Sequence, residues 1–260
     1  MLKTFLSVIG AYKLYEKWLW HQTKNGVKPE HMAIILDGNR RWASKKALDP
    51  WFGHEKGAEK VEQLLDWCLK LGVKSITLYA FSMENFRRPR DEVEEIMRIT
   101  KEEFQKILTD ERIRKNKVRV KVIGRVSLLP KTLQQLIMNV EKATQDYDEH
   151  FINIAFAYGG RAEIVDAARK IAEKVHEGGL SPEKIDEQVF ERYLYTSYMP
   201  KQDPDLIIRT SGEERLSGFL LWQSAYSELC FLDVYWPEFR LIDLLRAVRT
   251  FQKRKRRFGR

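Results

Sequence analysis

Clusters of acidic, basic and hydroxyl side chains follow several short apolar runs of this chain. The most informative run, 33–36, leads directly into Asp37-Gly38-Asn39-Arg40-Arg41. A carboxylate can hold a hard metal ion, and guanidinium groups bind phosphate oxygens through two parallel hydrogen bonds. The glycine leaves backbone N–H groups open to a close ligand. The cluster therefore predicts a site for a phosphorylated ligand, with a metal ion beside it.

Three more clusters of this kind follow other apolar runs. They occupy 82–89, 158–161 and 209–217, and they are rich in arginine, serine and glycine. Ligands of open α/β sheets bind outside the carboxyl ends of the strands, so parallel strands would bring all four clusters to one edge. Positive charge, hydroxyl donors and exposed backbone N–H groups are what diphosphate recognition requires. The four clusters together favour one shared anion site.

The elements that must carry these clusters alternate along the chain. Strand-like runs occur at 33–36, 75–81, 118–123, 152–157 and 206–208, with a further one around 231–235, and apolar helical stripes occur at 61–69, 93–108 and 164–175. This alternation predicts a single α/β domain with a mostly parallel central sheet of about six strands, flanked by helices. The 260 residues and 43% hydrophobic content suffice for one large core.

The net charge of +9 is concentrated at the C-terminus, where residues 253–260 hold six basic side chains and no acid. A nucleic-acid partner would need a basic face on the folded body as well, so we do not expect one. A solvated tail, contact with anionic lipid and contact with a substrate phosphate all fit such a run. The sequence leaves these three interpretations open.

The N-terminal segment has the pattern of a basic, aromatic amphipathic helix. Phe5, Val8, Tyr12, Tyr15 and Leu19 recur at helical spacing among lysines. The apolar run is too short and too interrupted to span a bilayer, and it lacks the apolar centre of a signal peptide. Such a helix can lie in a membrane interface, or it can pack on its own domain or on a partner subunit. Both interpretations remain open at this stage.

Other kinds of site do not fit the spacing of the reactive residues. Cys68 and Cys230 lie in apolar contexts outside any CxxC pair, which predicts buried free thiols in a reducing, cytoplasmic setting. There is no GxxxxGK[ST], GxGxxG or GxSxG motif, and no histidine pair has the spacing of a zinc site. A hard cation held by a carboxylate, phosphates and water fits better, and Mg²⁺ is such a cation.

Six segments match the motifs of one enzyme family in family order. They are 31–43, 52–57, 78–89, 158–161, 205–217 and 219–239, and the last contains Leu221-Trp222-Gln223 and Trp236-Pro237. On these segments the chain resembles the cis-prenyltransferases, the family of undecaprenyl diphosphate synthase. The aspartate-rich DDxxD motif of the trans-prenyltransferases is absent. The resemblance implies an amphipathic extension at 1–30, a catalytic domain at 31–245 and a basic tail at 246–260.

The resemblance implies an enzyme that condenses isopentenyl diphosphate repeatedly onto an allylic diphosphate primer, either farnesyl or geranylgeranyl diphosphate. The product would be a long-chain, undecaprenyl-like polyprenyl diphosphate, the precursor of a glycosyl carrier lipid. Mg²⁺ as cofactor, a homodimer and an apolar tunnel for the growing chain are also implied, with walls at 64–69 and 93–108. The alternative is a non-catalytic partner subunit of a heteromeric enzyme. Such subunits lack key catalytic residues, whereas Asp37, Arg41, Asn85 and Arg209 are present here.

The resemblance also implies roles for single residues. Asp37 would be the essential carboxylate and an Mg²⁺ ligand, Glu228 a second metal ligand, and Asn85 stands at the position proposed to accept the proton. Since a neutral amide is a poor base, a water or the departing diphosphate is the easier acceptor. The implied substrate-binding residues are Gly38, Asn39, Arg40, Arg41, Trp42, His54, Ser82, Met83, Glu84, Phe86, Arg88, Arg209, Arg215, Leu216 and Ser217.

The chain departs from the family pattern at several positions. Pro50 stands where many bacterial members have arginine, Arg40 where many have glycine, and Ala157 where asparagine is common. With the long N-terminal extension, these departures indicate an archaeal-type member that prefers a longer primer such as geranylgeranyl diphosphate. The segment Arg257-Phe258-Gly259 resembles a C-terminal Arg-x-Gly that, in dimeric members, reaches the partner's diphosphate site.

Overall fold

The central feature of the fold is a six-stranded sheet in which every strand is parallel to its neighbours. A computed structural model describes residues 10–254, and within them the strand order is β3-β4-β2-β1-β5-β6. The strands are His31–Ile35 (β1), Ser75–Ser82 (β2), Val118–Ile123 (β3), His150–Tyr158 (β4), Leu206–Arg209 (β5) and Glu228–Phe231 (β6). The prediction of a single α/β domain with a parallel sheet of about six strands is confirmed. The sixth strand begins three residues before the predicted run.

The helices connect these strands and cover both faces of the sheet. They are Ala11–Lys24 (α1), Asn39–Lys45 (α2), Pro50–Leu71 (α3), Arg90–Thr109 (α4), Glu111–Lys115 (α5), Lys131–Thr144 (α6), Gly160–His176 (α7), Glu187–Glu191 (α8) and Leu241–Lys253 (α9). The three predicted helical stripes fall in α3, α4 and α7. No predicted helical stripe corresponds to α6 or α9, and most of α9 falls in the predicted basic tail.

Two apolar clusters lie on the same face of the sheet. One joins α1, α3 and α9 to β1 and β5 around Met32, Leu64 and Trp236. The other joins α4 and α6 to β3 and β4 around Phe104 and Val120. Successive strand residues point to opposite faces, and the register pairs Ile76 with Ile152 and Ile152 with Val120, which places both clusters on one side.

The N-terminal helix α1 packs on α9 of its own domain. Leu19 is fully buried, and the Arg246 and Arg249 guanidinium groups lie 5.2 Å and 4.6 Å from the ring centres of Tyr15 and Trp18. The predicted division at residue 246 falls inside α9, where Val248 is buried in the core. The Arg257-Phe258-Gly259 segment lies outside the described residues. None of the helices within 10–254 has the length and apolar character needed to cross a bilayer.

Helix α3 touches Asn39, the first residue of α2, through two glycines. A Cβ atom added to Gly53 would lie 2.1 Å from the Asn39 carbonyl oxygen, and one added to Gly57 would lie 2.6 Å from Asn39 Oδ1. Both distances are far below any normal contact, so a larger residue at either position would force α3 and α2 apart. The Trp236 indole N–H also donates to the Gly57 carbonyl oxygen at 2.8 Å.

Candidate active site

Asp37 stands at the carboxyl edge of the sheet, two residues after β1. Because β1 and β5 are paired with Ile35 opposite Arg209, the carboxylate and this guanidinium meet. Arg209 donates to Asp37 Oδ2 at 2.7 Å, and Arg41, one helical turn along α2, donates to Oδ1 at 3.2 Å. Thr210 Oγ1 donates to the Asp37 carbonyl oxygen at 2.6 Å and accepts its N–H at 3.1 Å. The backbone and both carboxylate oxygens of Asp37 are thus fixed.

The surroundings of Asp37 keep it ionised. Burial raises the pKa of the carboxyl, but the hydrogen bonds from Arg209 and Ser211 and the charges of Arg209 and Arg41 outweigh burial. The net pKa is therefore below its ordinary value. An anion next to two guanidinium groups can hold a cation, and it can also orient the guanidinium groups for an anionic ligand.

The loop after β5 holds a second group of donors. Arg209 is only 5% exposed, donates to Ser217 Oγ at 2.8 Å and also donates to the Arg215 carbonyl oxygen. Ser211 and Ser217 have φ values of +82° and +49°, in the left-handed region that non-glycine residues rarely adopt. Such strain persists only where the surrounding contacts impose it, and it is concentrated at functional sites.

A cavity of about 1130 Å³ opens at this edge, and we call it the strand-end pocket. It brings together most of the residues predicted from the sequence. The predicted residues that line it are Asp37, Gly38, Asn39, Arg40, Arg41, His54, Ser82, Glu84, Asn85, Arg88, Arg209, Arg215 and Ser217. The four clusters were expected at one edge, and three of them line this pocket.

Four other predicted substrate-binding residues do not line the pocket. Phe86 packs edge to face on Phe81 with 4.9 Å between ring centres, and Met83 packs against the same apolar cluster. Leu216 packs on the opposite face of the sheet, and the Trp42 ring lies 5.3 Å from the Lys46 ammonium group. In this structure these side chains pack outside the pocket, and their contact with substrate stays a prediction.

Asn85 closes the turn that follows β2. Its Oδ1 atom accepts the Ser82 backbone N–H at 3.0 Å, in a reciprocal capping arrangement at the start of the short helix Met83–Arg87. The side chain lines the strand-end pocket. With its carbonyl oxygen used in this way, the amide has N–H groups to offer a ligand, which suits orientation better than proton removal.

Glu228 does not join Asp37 within one chain. It is the first residue of β6 and pairs with Leu206, at the amino edge of the sheet, whereas Asp37 follows the carboxyl end of β1. The two edges are separated by at least three strand residues, or about 10 Å. Glu228 instead accepts a hydrogen bond from Arg254. A metal site that used both carboxylates would need a second copy of the chain.

Glu92, which is not among the predicted site residues, lies behind the pocket in the first turn of α4. Its Oε1 atom is 3.1 Å from His54 Nε2, 3.1 Å from an Arg88 terminal nitrogen and 3.6 Å from Arg40 Nε. Burial raises the pKa of Glu92, while the hydrogen bond from His54 and the charges of Arg88 and Arg40 lower it and prevail. Its position four residues after Arg88 was the signal, but exposed helical pairs have the same spacing.

Two more residues in the loop after β5 take part without having been assigned a role. Arg41 donates to Ser211 Oγ at 2.6 Å and to Glu213 Oε1 at 3.1 Å, and Glu213 also accepts from Arg215. Glu213 therefore links two guanidinium groups that come from different strand ends. Both residues lie inside the 209–217 cluster, so the sequence located them without showing what they contact.

An apolar tunnel of about 390 Å³ leaves the strand-end pocket and runs between the two core clusters. Leu36, Asn39, His54 and Ala80 line both cavities, which places their openings side by side. Helices α3 and α4 form the walls, and β2, β3 and β4 form the floor. The apolar side chains that line it include Val61, Leu65, Ile96, Ile99, Phe104, Ile107 and Ile154. The predicted apolar tunnel and its helical walls are present.

Three ion pairs join the outer edges of these walls, and we call them the interhelix seam. They are Glu55–Arg98 at 3.0 Å, Glu62–Lys106 at 3.1 Å and Asp66–Arg112 at 2.9 Å. The three carboxylates lie on α3, and their cationic partners lie on α4 and α5. All six side chains are 40–58% exposed. Glu62, Lys106 and Arg112 also line the tunnel, so the seam closes its side that faces solvent.

Comparison with known proteins agrees with this arrangement. A family model described as undecaprenyl diphosphate synthase matches residues 35–259. The chain belongs to this family. It is therefore a cis-prenyltransferase, an enzyme that transfers prenyl groups. The match covers the strand-end pocket, the tunnel and the seam.

Two archaeal relatives of this cis-prenyltransferase cover almost the whole chain. The tritrans,polycis-undecaprenyl-diphosphate synthase (geranylgeranyl-diphosphate specific) of Methanopyrus kandleri is 54% identical over 255 residues, which are 98% of this chain and 93% of the relative. The protein of the same name from Pyrococcus horikoshii is 54% identical over 250 residues, 96% of this chain and 94% of the relative. The expectation of an archaeal-type member is confirmed.

A solved structure of the same family shares the fold. Lavandulyl diphosphate synthase from Lavandula x intermedia, in complex with dimethylallyl diphosphate, superposes with a TM-score of 0.86 at 38% sequence identity. The superposition covers 90% of this chain and 99% of the plant enzyme. The parallel sheet and its helical layers are thus those of a cis-prenyltransferase.

Two of the departures from the family pattern can be described in structural terms in this cis-prenyltransferase, whereas nothing in the structure explains Arg40. Pro50 is the first residue of α3, where proline is well tolerated, and it lines the strand-end pocket. The pocket therefore has an apolar ring where many bacterial members have a guanidinium group. Ala157 has a φ of +50°, a conformation that asparagine adopts more readily than alanine, which explains the usual asparagine.

The donor set of the pocket fits Mg²⁺ only together with a bound diphosphate. Within residues 10–254, no group of three or more His, Cys, Asp or Glu side chains is arranged to hold a metal ion. Mg²⁺ usually takes one or two protein carboxylates and completes its octahedral shell with substrate phosphates and water. The ionised Asp37, which lines the pocket, meets this requirement as a single carboxylate.

Proposed function

We propose that this enzyme extends geranylgeranyl diphosphate by repeated addition of isopentenyl diphosphate and releases an undecaprenyl-like polyprenyl diphosphate. The two archaeal relatives carry this primer and product in their names. The observation that carries the proposal is the junction of an arginine-rich pocket with an apolar tunnel at Leu36, Asn39, His54 and Ala80. A product with a doubly charged head and a long apolar chain matches both cavities. We further propose that it serves as a carrier lipid precursor.

Two diphosphate subsites divide the strand-end pocket in this proposal. The primer diphosphate would lie at the start of α2, against Arg40 and Arg41, with His54 and Arg88 on its far side. Isopentenyl diphosphate would lie at the loop after β5, against Arg209, Arg215 and Ser217. Asp37 contacts both Arg41 and Arg209, so it stands at the boundary between the subsites.

The reaction requires negative charge to develop on the departing diphosphate of the primer. When the allylic carbon–oxygen bond breaks, Arg40 and Arg41 would stabilise this charge, and bound Mg²⁺, held by Asp37, would add further positive charge. The double bond of isopentenyl diphosphate attacks the allylic carbon, and a proton then leaves the new chain. Asn85 would orient a water or the diphosphate that accepts the proton, since its own oxygen is occupied.

The growing chain would then enter the tunnel. Burial of apolar surface contributes about 0.8 kcal/mol for each CH₂ group, so every added isoprene unit favours the tunnel over water. Most of the tunnel lining is aliphatic or aromatic, and charged side chains such as Glu62, Lys106 and Arg112 line only part of it. In this proposal the volume of the tunnel limits the length of the product, because the chain stops growing when it fills the space between the walls.

We also propose a homodimer that works in the cytoplasm at a membrane surface. The separation of Glu228 from Asp37 in one chain favours a second copy, and size-exclusion chromatography with light scattering tests it. Leu14 and Trp18 on α1 are 68% and 43% exposed beside Arg246 and Arg249. Such a surface suits an anionic lipid interface. Sedimentation with anionic and with neutral vesicles would distinguish this contact from none.

A turnover assay tests the proposed function directly. Labelled isopentenyl diphosphate would be offered with geranyl, farnesyl or geranylgeranyl diphosphate in the presence of Mg²⁺. We expect long-chain product, fastest with geranylgeranyl diphosphate, and a fall in turnover of about 10³-fold or more for Asp37→Ala. Lys101→Ala, a change on the outer face of α4, serves as a control that should retain wild-type turnover.

The assay also discriminates the alternative reading of the chain. A non-catalytic partner subunit would give no product with any primer. Wild-type turnover by Asp37→Ala would contradict the proposed role of the carboxylate, even if long-chain product formed. A preference for farnesyl diphosphate would leave the reaction standing and contradict the proposed primer.

A further inference from the structure

One carboxylate oxygen of Glu92 lies beside two guanidinium groups and an imidazole ring. The three come from different parts of the chain: Arg40 from α2, His54 from α3 and Arg88 from the turn before α4. Their nitrogens lie 3.6 Å, 3.1 Å and 3.1 Å from Glu92 Oε1. Glu92 is 4% exposed and does not line the strand-end pocket, whereas its three partners do. The carboxylate thus lies behind two guanidinium groups and an imidazole ring that line the cavity.

This arrangement differs from the other ion pairs of α4. Glu94 and Glu95 pair with Arg90 and Arg98 on the outer surface of the same helix, where both partners are in solvent. Exposed pairs of this kind contribute little to stability. A buried carboxylate, in contrast, is strongly destabilising without a charged or hydrogen-bonding partner. Movement of the partners away from it would therefore cost free energy, because the negative charge would remain buried and unpaired. Glu92 therefore restricts the positions of Arg40, His54 and Arg88.

The contact with Glu92 also fixes the orientation of the N–H groups of these side chains that Glu92 does not use. Arg88 uses one terminal nitrogen for Glu92, and a guanidinium group has five N–H donors in a fixed fork. His54 uses Nε2, which fixes the plane of its ring. Without a common anion, Arg40 and Arg88 would repel each other, and each long side chain would sample many rotamers. A phosphate would then have to order them on binding.

We propose that Glu92 is a positioning residue for the primer diphosphate, because it holds Arg40, His54 and Arg88 at the spacing that this group requires. The proposal rests on the proposed function, since the primer is the ligand of that part of the pocket. Glu92 itself does not touch substrate. Isopentenyl diphosphate, which would bind at Arg209, Arg215 and Ser217, should not depend on it.

Positioning and simple electrostatics predict opposite changes in primer affinity when the Glu92 carboxylate is removed. Removing the carboxylate raises the positive charge behind the pocket, which by itself would tighten the binding of an anion. Loss of positioning acts in the opposite direction, because three side chains must be ordered when the diphosphate binds. The direction in which the Michaelis constant for the primer moves therefore decides between the two effects.

Steady-state kinetics of Glu92→Gln provide the test. We expect the KM for geranylgeranyl diphosphate to rise at least 10-fold, while the KM for isopentenyl diphosphate changes less than twofold. Glu92→Asp keeps the charge on a shorter side chain, and we expect it to recover part of the lost primer affinity. Glu95→Gln, a carboxylate lost from an ion pair one turn further along α4, should leave both constants unchanged. Thermal unfolding of each variant checks that the fold is retained.

The outcomes separate this inference from the proposed function. If the wild-type enzyme makes no product, the proposed function fails. If the wild-type enzyme turns over and Glu92→Gln leaves the primer KM unchanged or lowers it, only the positioning role is overturned. Equal rises in both KM values would also overturn it, since a general loss of structure would act on both subsites. If Glu92→Gln does not fold, an unchanged primer KM in Glu92→Asp has the same meaning.

Discussion

The strand-end pocket and the tunnel share one edge, yet they are built in opposite ways. The pocket is made of strand ends and short turns, and its charged groups are held by several hydrogen bonds each, as Arg209 and Asp37 show. The tunnel walls are helix faces, and on the side that faces solvent they are joined by the exposed ion pairs of the interhelix seam. Surface pairs of this kind contribute about 0.2–1 kcal/mol each.

The contrast teaches where this cis-prenyltransferase needs rigidity and where it needs freedom. The pocket must present the same donors at every condensation cycle, so its geometry is fixed before the ligand arrives. The tunnel must accept a chain that grows by one isoprene unit each time, and on its solvent side its walls are joined only by exposed ion pairs, which contribute little to stability. Three substitutions would test this difference between a rigid pocket and an adaptable tunnel.

Arg209→Lys tests the rigid region and should have the largest effect. Lysine keeps the charge but cannot bridge Asp37 and Ser217 with a planar fork. We expect kcat/KM for isopentenyl diphosphate to fall by about 10²-fold, the usual order for a lost stabilising donor, with product length unchanged. Arg90→Lys, an exposed arginine on α4, is the matched control. An altered product length with little change in rate would break the proposed division of roles.

Ala58→Phe tests the tunnel without touching the pocket. Ala58 lies on α3 and lines the tunnel near its mouth, so an added ring would occupy the path of the growing chain. We expect shorter products, separated by reversed-phase chromatography, while the first condensation keeps its rate within a few-fold. Gln63→Phe adds the same ring on the exposed side of α3 and should leave product length unchanged. Full-length product from Ala58→Phe would contradict the assignment of the tunnel.

Arg112→Gln tests the interhelix seam and should have the smallest effect. The change removes the pair with Asp66 at the distal end of the tunnel. We expect the free energy of unfolding to fall by less than about 1 kcal/mol and the product distribution to shift modestly toward longer chains. High salt should weaken the difference from wild type, since it screens exposed pairs. A shift toward shorter chains would show that the seam does not restrain the wall.

The sequence predicted the pocket better than the residues that organise it. Parallel strands bring their ends together, so composition at the strand ends was enough to locate Asp37 and Arg209. Glu92 could not be recognised, because its burial arises only when α2, α3 and the turn before α4 converge. Glu228 could not be placed either, since a strand's position does not follow from its apolar pattern, and its role as a metal ligand stays a prediction.

The sixth strand shows why element boundaries escaped the sequence. The run 231–235 is rich in the apolar and aromatic residues typical of strands, but carbonyl groups within it accept hydrogen bonds from the loop after β5. Gly212 donates to the Leu232 carbonyl oxygen at 2.9 Å and Ser211 donates to that of Val234 at 2.7 Å. These bonds tie the run to the loop after β5 and leave the earlier residues from Glu228 to pair with β5. Tertiary hydrogen bonds thus overrode a local pattern.

The contact of Gly53 and Gly57 with Asn39 has a mechanical consequence for elongation. The Gly53 backbone lies directly against the Asn39 backbone, and Gly57 lies against the Asn39 side chain. Further along α3, Leu64 and Cys68 are fully buried in the core. A helix that is held at both ends cannot shift far. We therefore expect α3 to keep its position as the chain lengthens, so that Asn39 and the reacting groups beside it also keep theirs.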